Sequence, residues 1–176
     1  MQRLIVYLLF VFLFTAANAQ EDSIAWRNLN EQAMLMSYML EKSDIRGYVE
    51  FVHPAVLDMM GGKEQYIGQL ENSRKDMKKL GISYLTVKSG TPSAIIQYGN
   101  ELQCVVPQVV EIKTTAGVLR NESSLIAVSS DEGQTWLFID TGGKDLQGVK
   151  EYFPKLSDEL IIPPSSQTME DEQDAK

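Results

Sequence analysis

The chain has 176 residues, 16 of them Lys or Arg and 24 Asp or Glu, giving a formal net charge of -8. Its basic residues are scattered rather than gathered in a stripe, which excludes the phosphate-tracking surface of a nucleic-acid-binding protein. With Cys104 as the only cysteine no internal disulfide can form, so a packed core has to hold the chain together.

Residues 1–19 read as a secretory signal peptide: Arg3 supplies positive charge, an apolar run extends from Leu4 to Phe14, and small residues end in Ala17-Asn18-Ala19. The run is shorter than the about 20 residues that span a bilayer, and no later stretch is long enough. Without a cysteine after the cleavage site no lipid anchor is expected either. The expectation is therefore a soluble exported protein, periplasmic or secreted, with one domain over residues 20–161. From Ile162 onward a Pro-Pro pair and acidic residues predict a disordered acidic tail over 162–176.

Within the domain, Trp26, Leu29, Ala33, Met36 and Leu40 recur at helical spacing, with Asp22 or Ser23 placed to cap the helix. Ser43 and Asp44 can cap a second, shorter helix that Pro54 ends. "AVLDMM" is expected to be extended, and the Gly61-Gly62 pair then opens a third helix closed by Gly81. From Ile82 to Asp140 the pattern is strand-like, with turns at Gly90-Thr91-Pro92, Gly99-Asn100, Ala116-Gly117 and "SSDEGQT". Such short turns predict antiparallel neighbours in chain order. On the third strand Leu102, Cys104, Val106, Val110 and Ile112 share one face, and Pro107 predicts a bulge or an edge position.

This order of helices, short strand, helix and curved antiparallel meander resembles the NTF2-like, cystatin-like superfamily over roughly residues 23–140. The local likeness is carried by "DIRGYVEFVHPAVLDMMGGKEQYI" and is to the exported SnoaL and ketosteroid isomerase-related branch. The resemblance implies an α+β fold, N-terminal helices packed on a curved antiparallel sheet, and a dimer through the open sheet face. Isomerases of that branch carry an acidic base at the end of the first short strand. Here a simple match puts Met59 at that position and Asp58 beside it.

The candidate site residues follow from chemistry and from this resemblance. Asp58 and the sole histidine, His53, are the pair an isomerase or dehydratase acting on a hydrophobic substrate would use. Against that reading, His53 before Pro54 suits a backbone-bonded helix-end residue. One histidine and one isolated cysteine cannot assemble a conventional zinc cluster, so no metal and no cofactor are expected. Tyr38, Tyr98 and Trp136 could line the mouth of a cone and hold a small apolar ligand, or serve as plain core. Asn121-Glu122-Ser123 is formally a glycosylation sequon.

"SSDEGQTW", residues 129–136, fits Ser-x-Asp-x-Gly-x-Thr-Trp and resembles the Asp-box of sialidases and other β-propellers. A propeller needs one such hairpin per blade and an arginine cluster for its substrate. A single copy implies a folding role instead, with Asp131 and Gly133 closing a turn and Trp136 packing over it. The favoured expectation is an exported, non-catalytic module that binds a small apolar ligand or a protein partner.

Overall fold

The computed structural model describes residues 23–170, so the expected signal peptide and residues 171–176 of the tail lie outside the described residues. Helix α1 (Ile24–Lys42) buries Leu29, Ala33 and Met36 on one face. The Ser23 hydroxyl caps it by accepting the Trp26 N–H at 3.1 Å, and Ser43 ends it in the left-handed region. Asp44 caps α2 (Ile45–Val49), accepting the Gly47 N–H at 3.0 Å.

The next segment departs from the expectation. "AVLDMM" belongs to a helix, α3 (Pro54–Met59), and not to an extended strand. His53 is the reason: its Nδ1 accepts the Ala55 N–H at 3.2 Å, and Pro54 occupies the first turn, where its missing N–H is no loss. A proline that reads as the stop of one helix thus opens another. Helix α4 (Lys63–Lys79) follows, burying Ile67.

Six strands form one antiparallel sheet: β1 (Ser83–Ser89), β2 (Ile96–Tyr98), β3 (Glu101–Thr114), β4 (Gly117–Ser129), β5 (Leu137–Asp140) and β6 (Ser166–Glu170). The pair β3–β4 is central, in unbroken register from Leu102 opposite Ser129 to Thr114 opposite Gly117. Along the outer side of β3, β1 pairs with residues 108–113 and β2 with 101–103. Along the outer side of β4, β5 pairs with 125–128 and β6 with 118–122.

This topology corrects three expectations. Strands β1 and β2 are not hairpin neighbours; they lie one after the other along β3, and Gly90-Thr91-Pro92 bridges the interval between them. Pro107 sits opposite that interval, on an inner strand without a bulge. Its carbonyl accepts the Gly90 N–H at 2.7 Å, so its missing N–H points to the same side, where neither β1 nor β2 pairs with it. The tail is also ordered as far as Glu170, because the edge of β4 beyond β5 offers unpaired backbone groups that β6 fills. All five β6 side chains stay exposed, which is why composition carries no sign of the strand.

Alternation divides the side chains between two cores. On the helix-covered face Cys104, Val106, Leu125, Ala127, Trp136 and Phe138 pack against Leu29, Met36, Val49 and Ile67. On the other face Val105, Ile126, Val128 and Ile139 are covered by the chain after β5, through Val149 of α5 (Leu146–Lys150), Leu156 and Leu160. Part of the sheet face expected to dimerise is therefore occupied by the protein's own C-terminal segment. The architecture is α+β, N-terminal helices on a strongly curled antiparallel sheet that forms a half-barrel, consistent with an NTF2-like cone.

The turn between β4 and β5 fastens this sheet to α1. Asp131 Oδ1 accepts from the Ser129 hydroxyl and from the Thr135 N–H, each at 2.8 Å, while the Ser129 oxygen accepts the Gly133 N–H at 3.0 Å. The Thr135 N–H bond foremost holds the Asp131 pKa below the usual carboxylate range. Gly133 has φ +83°, and a Cβ there would stand 2.3 Å from that of Ala25. The loss of the two bonds in Asp131→Ala is expected to cost about 1–3 kcal/mol in urea unfolding at neutral pH. Gly133→Ala is expected to cost more than about 1 kcal/mol from backbone strain alone. Wild-type stability in both variants would contradict the role given to the turn.

Candidate functional site

The concave face of the sheet changes character along β3 and β4. Val106 opposite Leu125 belongs to the dry core, but the next pair on that face is Gln108 opposite Ser123, followed by Val110 opposite Asn121 and Ile112 opposite Leu119. Asp140 ends β5 opposite Leu125, on the same face. Strand β1 adds Tyr84 opposite Ile112 and Val87 opposite Val110. In a regular strand residues three apart point to opposite faces; the register shift between Tyr84 and Thr86 brings both to this one. Of these, Tyr84, Gln108, Val110, Ile112, Asn121, Ser123 and Asp140, with Leu40 of α1 and the Gly142-Gly143 turn, line a recess of about 310 Å³.

Gln108 is the feature that makes this recess unlike core. It is only 4% exposed, yet its Nε2 has no hydrogen-bond partner among the described residues. A buried amide left this way costs about 1–3 kcal/mol, a large share of the margin by which a domain is stable. Asp140 Oδ1 accepts the Gly142 N–H at 2.8 Å. The residue lines the recess and keeps solvent-exposed surface, while the protein around it raises its pKa by desolvation against the lowering effect of that one bond.

Three tyrosines share this end of the molecule. Tyr48 of α2 is buried, and Tyr66 of α4 is half-buried near it. Desolvation first, and the charges of Asp140 and Tyr84 in smaller measure, push both phenols above the usual range. Tyr84 carries the Arg74 guanidinium 4.3 Å from its ring centre. The recess thus has apolar walls in Leu40, Val110 and Ile112, and a polar side in Gln108, Ser123, Asn121 and Asp140.

The residues singled out in the sequence do not assemble there. Trp136 is fully buried, its Nε1–H donating to the Ala25 carbonyl at 3.2 Å, so it offers a ligand nothing. Tyr38 is exposed on α1 beside Lys42, and Tyr98 is exposed on β2. Asp58 is exposed on α3, at a helix position and not at the end of a strand. His53 lines a different recess of about 310 Å³, with Glu101, Gln103, Phe153 and Lys155, and Asp58 is not part of its wall. Cys104 is buried in the core, where desolvation pushes its thiol up to about 12. Among the described residues no three His, Cys, Asp or Glu side chains gather so as to hold a metal ion. No described helix is long and apolar enough to cross a membrane.

Gln108 and Asp140 are absent from the sequence candidates, although one signal pointed to the first. The apolar alternation Leu102, Cys104, Val106, Val110, Ile112 skips position 108, and a glutamine on an otherwise dry face needs a partner. The sequon's Asn121 and Ser123 both face the same recess.

No protein-family model matches the chain, and no curated protein does. Among solved structures, one of Bd1075 from Bdellovibrio bacteriovorus is similar over 65% of this chain at 19% identity, with a TM-score of 0.42. The chain spans 38% of the length of that protein.

Two outcomes follow from these environments. Gln108→Met, which keeps the shape and removes the unpartnered amide, is expected to raise the unfolding free energy of the ligand-free protein by about 1 kcal/mol in urea titration. A loss of stability would mean that the amide has a partner in the protein. For His53, burial lowers the pKa, with Glu101 opposing, so the fold favours the neutral ring. Its contribution is complete above the ordinary imidazole value of about 6.5 and is lost as pH falls through that value toward the lowered one. Wild-type Tm should therefore drop more between about pH 7 and pH 5 than that of His53→Asn, in which asparagine retains a cap.

Proposed function

We propose that this chain is an exported, non-catalytic binding module of the NTF2-like kind, and that it holds a small, largely apolar ligand in the recess beside Gln108. The observation that carries the reading is the recess itself, with apolar walls in Leu40, Val110 and Ile112 and a polar side in Ser123, Asn121 and Asp140. The volume, about 310 Å³, lies at the lower end of small-molecule sites and favours a ligand of few atoms. Export rests on the signal-peptide pattern of residues 1–19. Fold alone argues for no particular activity, since this architecture serves unrelated functions.

A second reading, a small isomerase or dehydratase, draws support from a different residue than Asp58 or His53. Asp140 is the carboxyl on the wall of the recess, and desolvation raises its pKa, the direction that suits a general base. Under that reading Asp140→Asn abolishes turnover and leaves ligand uptake intact.

Native mass spectrometry of the protein taken from its own exported fraction tests the binding reading. The expected result is a stoichiometric small molecule that is lost when Ser123→Trp fills the recess. A bare protein, or a ligand retained equally by the variant, would count against the recess as its site.

A further inference from the structure

The sheet guards its edges in different ways, and among the described residues one edge is left open. On β1 the register shift between Tyr84 and Thr86 breaks the strand's outer line, and the outward-facing Val87 N–H donates to the Glu41 carboxylate of α1 at 3.3 Å. Strand β2 has only three residues, too few to template a partner. The outer side of β5 is covered by the chain before α3: the Phe138 N–H donates to the Phe51 carbonyl at 2.7 Å, and the Phe138 carbonyl accepts the His53 N–H at 2.9 Å. Strand β6 has no such cover. It pairs with β4 on one side and with no strand on the other, all five of its side chains are exposed, and it contains no proline, lysine or bulge.

The alternation of backbone groups fixes which amides lie on that open side. The Ser124 carbonyl accepts the Thr141 N–H at 3.1 Å, so the even-numbered residues of β4 turn their backbone groups toward β5 and β6. Val118, Arg120 and Glu122 therefore form the hydrogen-bonded pairs with Glu170, Thr168 and Ser166. Gln167 and Met169 are left with N–H and C=O pointing outward, where a further strand would meet them.

A strand that docks there has to match this spacing, and β6 matches itself. Set antiparallel about Thr168, Gln167 of one copy stands opposite Met169 of the other, so both outward-facing residues form hydrogen-bonded pairs and Thr168 meets Thr168 in the close pair between them. Glu170 then stands opposite Ser166 of the second copy. Parallel pairing in register would instead stack Glu170 on Glu170. We infer that β6 is a homodimerisation edge, through which two copies of this chain join their sheets across a two-fold axis. Because the contact uses up the open edge of both copies, assembly stops at two. Only a short strand is covered on each side, so the dimer belongs to the weak, concentration-dependent class.

Sedimentation equilibrium of the exported protein at rising concentration is expected to show reversible dimerisation with no larger species. Amide hydrogen exchange followed by NMR over the same range should slow at Gln167 and Met169, by about tenfold when about nine-tenths of the chains are paired, while Thr168, already bonded to β4, stays unchanged. A general tightening of the fold does not produce that alternation. Met169→Pro removes one outward N–H without taking a bond from β4 and is expected to weaken association at least about tenfold, with protection at Thr168 showing that β6 still lies on β4. Gln167→Pro blocks the other outward N–H and repeats the test. A protein that stays monomeric at about 1 mM, dimerisation without slowing at Gln167 and Met169, or a dimer that survives both proline variants overturns the assignment.

Discussion

The docking of the β4–β5 turn onto α1 is the contact on which the rest of the arrangement depends. Two side chains of α1 reach across more than one hundred positions of sequence: Asn28 donates to the Gly133 carbonyl at 2.9 Å, and Gln32 both donates to the Gln134 carbonyl and accepts the Trp136 N–H at 2.8 Å. Trp136 then lies completely buried beneath the helix. Burial of a side chain of that size is worth more than the about 1.5–3 kcal/mol of an ordinary large apolar residue, so the bonds give direction and the indole gives most of the energy. The helix is thereby held across the concave face, and its far end brings Leu40 to the edge of the recess.

That face is built in two halves with opposite rules. Near the Asp-box turn it is dry and closely packed, through Cys104, Ala127, Trp136 and Phe138 against Leu29 and Met36. Toward the other end the same strands present Gln108, Ser123, Asn121 and Asp140. An unpartnered amide and a carboxyl with raised pKa are local losses, and the dry half offsets them. Proteins commonly break their own packing rules where function requires it. The second core, formed by the chain after β5 on the opposite face, frees the concave face from having to supply all of the stability.

Much of this was legible in the sequence because it rests on periodicity and on turn chemistry. The spacing of Leu29, Ala33 and Met36 marks α1, and Asp131, Gly133 and Trp136 mark a turn whose geometry demands those residue types. The errors have equally local causes. His53-Pro54 reads as a helix end when only the preceding residues are considered, but the imidazole acceptor makes it a start. The β6 strand buries no side chain, so nothing in composition reveals it. The site was harder still. It depends on which strands lie side by side, and the expected β1–β2 hairpin would have moved Tyr84 away from Ile112 and Gln108. Tyr38 and Tyr98 were attractive by residue type alone, whereas Gln108 becomes conspicuous only when its face and its neighbours are known.

The most direct measurement is a crystal structure of the protein purified from its own exported fraction, refined far enough to show what meets the Gln108 side chain. Electron density for an organic molecule in the recess, extending between Leu40 and Ile112 toward Asp140, is the expected result. A recess closed by its own walls, with the Gln108 amide donating to a protein oxygen, would contradict the assignment of this site.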